Sequence, residues 1–272
     1  MGTRKSRSSR AIARGSSATP GNEVSYIYGK HAAREAVANR PDIIREAYLA
    51  ESFAADDIVC ALQTHGVQLR VLNEKNPPRG ISSKAAHQGV VLGIQPARLL
   101  RSYRDFMTGC TFTPDTAFLL LQEVQDPHNV GAVIRSAAAF GLAGVLIPPH
   151  NQAPITGSVV KVSAGMAFRI PLVEIRNVNA TIRDLQQRGC WVYGLAGEGG
   201  VTTHTEQFDR PTVFVLGNEH EGLREKTRTA CDALLRIPLH TRCESLNAAA
   251  ATAVVLATWS AQHPSALSVP GE

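Results

Sequence analysis

An α/β protein is the fold that the sequence predicts, with a mostly parallel sheet in its C-terminal part and a smaller α/β module before it. Three observations predict it. Strand-like and helix-like stretches alternate through the 272 residues, which calls for parallel strands with helices on both faces. The run AFLLLQ at 117–122 is apolar without alternation, as in strands covered on both sides. The stretch 97–116 has no clean period and ends in Thr-Pro-Asp-Thr, which suits a connector between domains.

In chain order, residues 1–22 carry Arg4, Lys5, Arg7, Arg10 and Arg14 and no acid. Their Ser, Gly and Arg content leaves too little apolar surface to offset the entropy of ordering, so a disordered tail is expected. This tail holds the whole net charge of +5, because the remainder balances 23 basic residues against 23 acidic ones. It reads as a basic arm drawn to phosphates or as a solubilising extension. The module that follows is expected to place helices at 32–38 and 56–65, the second with an acidic first turn, and a short helix at 82–87. Strands are expected at 46–50, 67–72 and 89–94.

Past the connector, the strand at 117–122 leads through Asp-Pro-His-Asn into a helix at 130–140 closed by Gly141. Further strands are expected at 144–147, 191–195, 212–216 and 234–237, and helices near 178–188, 222–231 and 245–260. No internal repeat is present. With 44% apolar and 19% charged residues the chain has material for a packed core, which excludes disorder throughout. No window reaches the roughly eighteen apolar residues of a spanning helix, and the first residues lack the apolar core of a secretion signal. A soluble, cytoplasmic protein is therefore expected. Cys60, Cys110, Cys190, Cys231 and Cys243 are odd in number and form no C-x-x-C pair. They read as reduced, mostly buried thiols, with no metal site.

Three clusters carry chemistry. The first is Asp-Pro-His-Asn-Val-Gly-Ala-Val-Ile-Arg at 126–135. Asn129 stands where an N-cap would bond the first exposed amides. Arg135 lies among small and apolar neighbours and needs a carboxylate, a phosphate or solvent to compensate it. The second cluster, Leu216-Gly217-Asn218-Glu219-His220-Glu221-Gly222-Leu223, directly follows a buried strand. Ligands of open parallel sheets bind at strand carboxyl ends, where glycine admits close backbone approach. By spacing alone this stretch also fits a plain loop with a helix starting at Gly222. The third cluster runs from Ile237 and Leu239 through Ser245, Leu246 and Asn247 into an alanine-rich helix. Alanines at successive positions allow that helix to lie close to other backbone, although they also carry high helix propensity.

Taken in order, N-V-G-A-x-x-R, L-G-N-E-x-E-G-L and I-P followed seven residues later by S-L-N resemble the three motifs of the SpoU (TrmH) family of RNA ribose 2'-O-methyltransferases, within the SPOUT superfamily. The likeness runs from Phe118 to Trp259. It implies a C-terminal domain with a parallel sheet and a deep trefoil knot, with S-adenosylmethionine bound in the knot. Gly217, Ile237 and Leu246 match the family's cofactor contacts, and Leu216, Asn218 and Leu239 stand beside them. The resemblance assigns the ribose chemistry to Arg135, either as a general base assisted by the substrate phosphate or, the reading favoured because a guanidinium rarely gives up its proton, as a group that orients the hydroxyl and stabilises oxygen charge. Asn129, Glu219, Ser245 and Asn247 take supporting roles. His220 and the alanines at 248–250 depart from common family patterns without removing any of these residues.

The module opening with Tyr28-Gly29-Lys30-His31-Ala32 resembles the small ribosomal-protein-like RNA-binding domain of the subgroup that modifies a guanosine of large-subunit ribosomal RNA. The resemblance thus implies an RNA partner, a homodimer through the knot and no membrane or metal. The expected organisation is a basic tail at 1–22, an RNA-binding domain at 23–98, a linker at 99–116, a methyltransferase domain at 117–262 and a C-terminal tail at 263–272. A transfer RNA, a resistance-type ribosomal site or a noncatalytic RNA-binding role are the alternatives.

Overall fold

The computed structural model describes residues 23–53, 55–73, 77–78, 81–82 and 85–268. The basic tail at 1–22 lies outside the described residues. The first module contains β1 (Ser25–Tyr28), α1 (Lys30–Asn39), β2 (Ile44–Leu49), α2 (Asp56–Thr64), β3 (Gln68–Val71) and β4 (Val90–Ile94). Its four strands run in the order β1-β4-β2-β3. Strand β4 pairs antiparallel with both neighbours, and β2 with β3 is parallel. Strand β1 was not anticipated, because Ser-Tyr-Ile-Tyr carries too few aliphatic residues for its period to show. The short helix expected at 82–87 is absent from the described part of that stretch, where backbone bonds from Ala85 to Ser82 and from His87 to Ala85 make tight turns instead.

The second part begins within the expected connector. It contributes β5 (Leu100–Ser102) and α3 (Tyr103–Thr108), then β6 (Ala117–Leu121), α4 (Pro127–Ala139), β7 (Gly144–Ile147), α5 (Gly157–Val162), β8 (Leu172–Glu174) and α6 (Val178–Gln187). It continues with β9 (Trp191–Leu195), β10 (Val201–Thr202), β11 (Thr212–Leu216), α7 (Glu225–Ala230), β12 (Ala233–Arg236) and α8 (Ala248–Gln262). The eight strands lie in the order β10-β12-β9-β11-β6-β7-β8-β5. Every described pairing among them is parallel. Strand β5 has only three residues, too few to display a period, and it is held at the sheet edge by its pairing with β8.

The apolar run of β6 divides as a strand covered on both faces should. Ala117, Leu119 and Leu121 join a core with Val130, Val133, Ile134 and Ala137 of α4 and Val255, Leu256 and Trp259 of α8. Phe118 and Leu120 join a second core with Ile182 and Leu185 of α6. Helix α4 begins earlier than 130. Asp126 is its N-cap, accepting from the His128 amide at 2.8 Å, and Pro127 fills the first helical position. Asn129 is therefore not the cap, which leaves its side chain for other work. Gly131 is required on this helix by packing, since an added Cβ would stand 2.6 Å from Val162 Cβ of α5.

The first module docks against α5 and the turn after it. Ile27 and Leu92 of the small sheet share one continuous core with Val159, Val160 and Phe168 of the larger part. Arg169 makes two charge-assisted bonds to the buried carboxylate of Glu35, at 2.6 and 2.8 Å. A Cβ on Gly157 would come within 2.7 Å of the Tyr26 carbonyl oxygen, so the two parts meet backbone to backbone.

The cysteine expectation needs correction. All five are free thiols, but only Cys190 is buried; Cys110 and Cys231 are partly covered, and Cys60 and Cys243 are exposed. Burial pushes the Cys190 thiol up to about 12, which leaves it protonated at neutral pH. Among the described residues no helix is long and apolar enough to cross a membrane. Among the same residues no cluster of three or more His, Cys, Asp or Glu side chains could hold a metal ion.

Candidate active site

The carboxyl ends of β9, β11 and β12 open into one cleft, closed on its far side by the loop before α8 and by the first turns of that helix. This is where an open parallel sheet binds ligands. All six residues expected to hold a cofactor line it: Leu216, Gly217, Asn218, Ile237, Leu239 and Leu246. Glu219 and Ser245 line it as well. Sequence reasoning missed Leu195, Ala196 and Gly197 at the end of β9, and Leu235, Glu244, Ala248, Ala251 and Val255. A signal for the first three was present, because Leu-Ala-Gly-Glu-Gly-Gly is a glycine-rich turn directly after a strand.

The second cluster forms a tight turn rather than the start of a helix. Asn218 and Gly222 exchange both backbone hydrogen bonds at 3.0 Å, and Gly222 takes the left-handed conformation. Asn218 Oδ1 accepts from the amides of His220 and Glu221, at 2.9 and 3.1 Å, fixing the turn as an Asx motif. His220 contributes its amide to that motif. Gly217 has a different reason from the one expected. A Cβ there would lie 2.4 Å from the Gly222 carbonyl carbon and 2.6 Å from the Leu223 nitrogen, so the protein's own turn occupies the space.

A chain of polar side chains ties the three clusters together. Asn247 Nδ2 donates to Asn129 Oδ1 at 3.0 Å, and Asn129 Nδ2 donates to Glu219 Oε1 at 3.0 Å. Glu219 also accepts from the backbone amides of Gln125 and Asp126, each at 3.3 Å. Burial alone would raise the Glu219 pKa. Hydrogen bonds from Asn129 and from backbone amides outweigh that effect and hold the carboxyl below its usual range. Asn247 does a second job as N-cap of α8, its Oδ1 accepting from the amides of Ala249 and Ala250. The Ser245 carbonyl accepts from Cys243 Sγ at 3.1 Å, which folds the third loop back on itself.

Arg135 is not brought into this chain or into the cleft. It stands exposed on α4, and its side chain makes no hydrogen bond or ion pair among the described residues. Of the three compensations open to it in the sequence, the isolated chain supplies solvent.

The chemistry of the lining tests which ligand fits. Two carboxylates, Glu219 and Glu244, face the cleft, and its lining contains no Lys, Arg or His. A nucleotide phosphate would find no countercharge there, whereas a cationic ligand would. Leucine, isoleucine and valine side chains around the strand ends offer apolar walls to a flat base. S-adenosylmethionine combines an adenine with a sulfonium and an ammonium, and it fits both properties.

Comparison with known proteins agrees with this geometry. The model of the SpoU rRNA methylase family matches residues 116–257, more than half the chain. The chain belongs to the SpoU rRNA methylase family. A second family model, described as RNA 2'-O ribose methyltransferase substrate binding, matches residues 26–100. Among curated SpoU relatives, the 23S rRNA (guanosine-2'-O-)-methyltransferase RlmB of Vibrio vulnificus is 35% identical over 237 residues, covering 85% of this chain and 94% of the relative. The protein of the same name from Nitrosomonas europaea is 32% identical over 252 residues, covering 90% and 96%. Among solved SpoU structures, the methyltransferase AviRb from Streptomyces viridochromogenes, in complex with AdoMet, superposes with a TM-score of 0.76 at 22% identity, covering 89% of this chain and 91% of that one. An AdoMet-bound rRNA methyltransferase from Sinorhizobium meliloti gives a TM-score of 0.71 at 26% identity, covering 87% and 86%.

Proposed function

We propose that this chain methylates a ribose 2'-hydroxyl of a guanosine in 23S ribosomal RNA, using S-adenosylmethionine. The single observation that carries the reading is a cation-free cleft bearing two carboxylates, joined through Glu219 to the Asn129–Asn247 chain. Relatives named as 23S rRNA guanosine methyltransferases span 94% or more of their own length in the match, which supports ribosomal over transfer RNA. That substrate also implies a cytoplasmic location.

When bound, the cofactor supplies a methyl group already activated on a sulfonium. The chain's residues have the remaining tasks. Leu216, Ile237, Leu239 and Leu246 would flank the adenine, and the backbone of Gly217 with the second lone pair of the Asn218 carbonyl would hold the polar parts. Glu219, a carboxylate at neutral pH whose ionised form its hydrogen bonds favour further, acts as an acceptor that fixes the Asn129 amide, not as a proton carrier. Asn129, with Asn247 behind it, positions the ribose, and Ser245 shapes the loop across the cleft. Arg135 orients the hydroxyl and balances charge developing on its oxygen, while the hydroxyl proton leaves to the solvent that reaches this exposed side chain.

Arg135 meets this task in a homodimer. Helix α8 is apolar around its circumference, and Val254 together with Leu239 and Leu246 of the adjoining loop remains exposed in the single chain. Covering that face with a second copy would also enclose the cleft. The trefoil knot of the SPOUT fold is what family membership implies, and the close backbone approach at Gly199, whose Cβ would stand 2.5 Å from the Leu234 carbonyl oxygen, fits it. Residues 23–98 bind the RNA, and 117–262 hold the reaction.

The test is transfer of labelled methyl from S-adenosylmethionine to total RNA, followed by mapping of the modified ribose. Label on one guanosine of 23S rRNA is the expected result, and absence of label on RNA overturns the reading. Arg135→Ala should abolish transfer while cofactor binding persists; a fully active variant would remove Arg135 from the mechanism.

A further inference from the structure

The same carboxyl edge of the sheet carries a second concavity that the reaction does not use. Beyond β6, one cleft lies over the ends of β6 and β7 and beside the starts of α6 and α7, and another continues over the ends of β8 and β5. The two meet at Pro149, Arg176 and Asn177, so they form one groove. Its floor is polar and fully engaged. The buried Gln122 accepts from the Arg224 amide at 3.0 Å and donates to Thr227 Oγ1, which in turn donates to Asn179 Oδ1 at 3.0 Å. Such a floor is fixed before any ligand arrives.

The charges around the groove divide unevenly. Arg104, Arg176 and Lys226 line it and are exposed, and their side chains make no hydrogen bond or ion pair among the described residues. Two of its four carboxylates are firmly engaged, Glu123 by Arg224 at 2.6 Å and Asp184 by Arg188 at 2.8 Å, while the exposed Glu225 lies 3.9 Å from Arg228, which bonds Glu198 instead. Glu174 is the remaining acid. The groove therefore presents an excess of uncommitted cation, in contrast to the cofactor cleft beside it.

Its two walls lead to the two parts of the molecule that a long substrate must touch together. Glu123 lines the groove, and its carbonyl accepts from Asn218 Nδ2 at 2.8 Å, so it shares a wall with the cofactor cleft. On the other side, Pro149 and Asn151 begin the segment that runs into α5, the helix on which the first module is docked. The groove lies toward the α6 layer, away from the α8 face assigned above to the second copy.

We infer that this groove binds the RNA strand adjoining the modified ribose, with Arg176 and Lys226 neutralising its phosphates. The inference rests on the reaction proposed above and deepens it by naming the path of the substrate. Phosphate neutralisation releases counterions, so it leaves a mark in the salt dependence of binding that a structural role does not.

The experiment uses the full chain and a 23S rRNA transcript that the wild type is tested to methylate. RNA affinity is measured across a salt series, together with KM, kcat and S-adenosylmethionine affinity. For Arg176→Ala combined with Lys226→Ala, affinity for the transcript should fall about tenfold and the salt slope should shrink by about 1 to 2. KM should rise more than kcat falls, with cofactor affinity unchanged. Arg210→Ala, which removes a cation stacked on Trp191 at the opposite edge, is the control and should leave the slope unchanged. An active wild type whose double variant keeps the same slope overturns the groove alone, as does a loss confined to kcat. A slope retained for RNA but binding lost for an acidic peptide assigns the groove to a protein and also overturns it. A wild type that binds the transcript but transfers no methyl overturns the reaction instead.

Discussion

Two concavities on one edge of one sheet differ in electrostatic character, one purely acidic and the other of mixed charge with unpaired cations. The cleft at the ends of β9, β11 and β12 exposes two carboxylates and no basic side chain, while the groove at the ends of β6, β7, β8 and β5 exposes three uncommitted cations. The backbone at the two places is alike: parallel strands ending in loops at a common level. The difference comes from loop side chains and from which of them already have partners. A parallel sheet thus supplies positions for ligands, and the local charge balance selects which ligand each position receives.

Glu219 is the sharpest point at which to break that contrast. Glu219→Ala would leave the Asn129 amide and two backbone N–H groups without their acceptor. Methyl transfer should fall about a hundredfold or more, comparable to loss of a positioned polar group in an active site, and a thermal melt should show destabilisation of about 1–3 kcal/mol. Next in size, Gly217→Ala forces a Cβ against the Gly222 carbonyl. Calorimetry should show about tenfold or greater loss of S-adenosylmethionine affinity and a smaller loss of RNA affinity, since only the Glu123 wall of the groove is tied to that turn.

A smaller effect follows from acidity. Because the Glu219 pKa is lower folded than unfolded, its contribution is fully present above the unfolded carboxylate pKa and is lost as pH falls through the folded value. Unfolding titrations should therefore show part of the acid destabilisation below about pH 4.5 removed in Glu219→Gln. Smallest is the tail. Deleting residues 1–22 removes five basic residues and should weaken RNA binding mainly at low salt, measured as a shallower salt slope. A large loss at physiological salt would move the main phosphate contacts out of the groove.

Much of the sheet was legible because its strands are continuously apolar and separated by helical periods. Strands β5 and β8 were not, since three residues cannot show a period and their place is fixed by neighbours. The start of α4 was written in the sequence as Asp126-Pro127, a stronger signal than Asn129 because proline suits the first helical position. The cofactor residues were legible through motif resemblance, which places them at strand ends. The Glu219–Asn129–Asn247 chain was named member by member, but its connectivity spans about ninety and about a hundred and twenty residues and no local pattern encodes it. The groove was invisible for the same reason. Arg176 and Lys226 are ordinary loop and helix-start cations in the sequence, and only the fold shows that neither side chain forms an ion pair among the described residues.

The docking of the small module has a consequence for substrate choice. A shared core, the Glu35–Arg169 pair and the contact of Gly157 with Tyr26 hold it at a set distance from the methyl-transfer centre. The molecule then behaves as a calliper with one jaw on the module and the other at the ribose. An RNA that presents the correct nucleotide at the wrong span from its second contact would be refused, so discrimination can rest on the three-dimensional shape of the substrate more than on its bases.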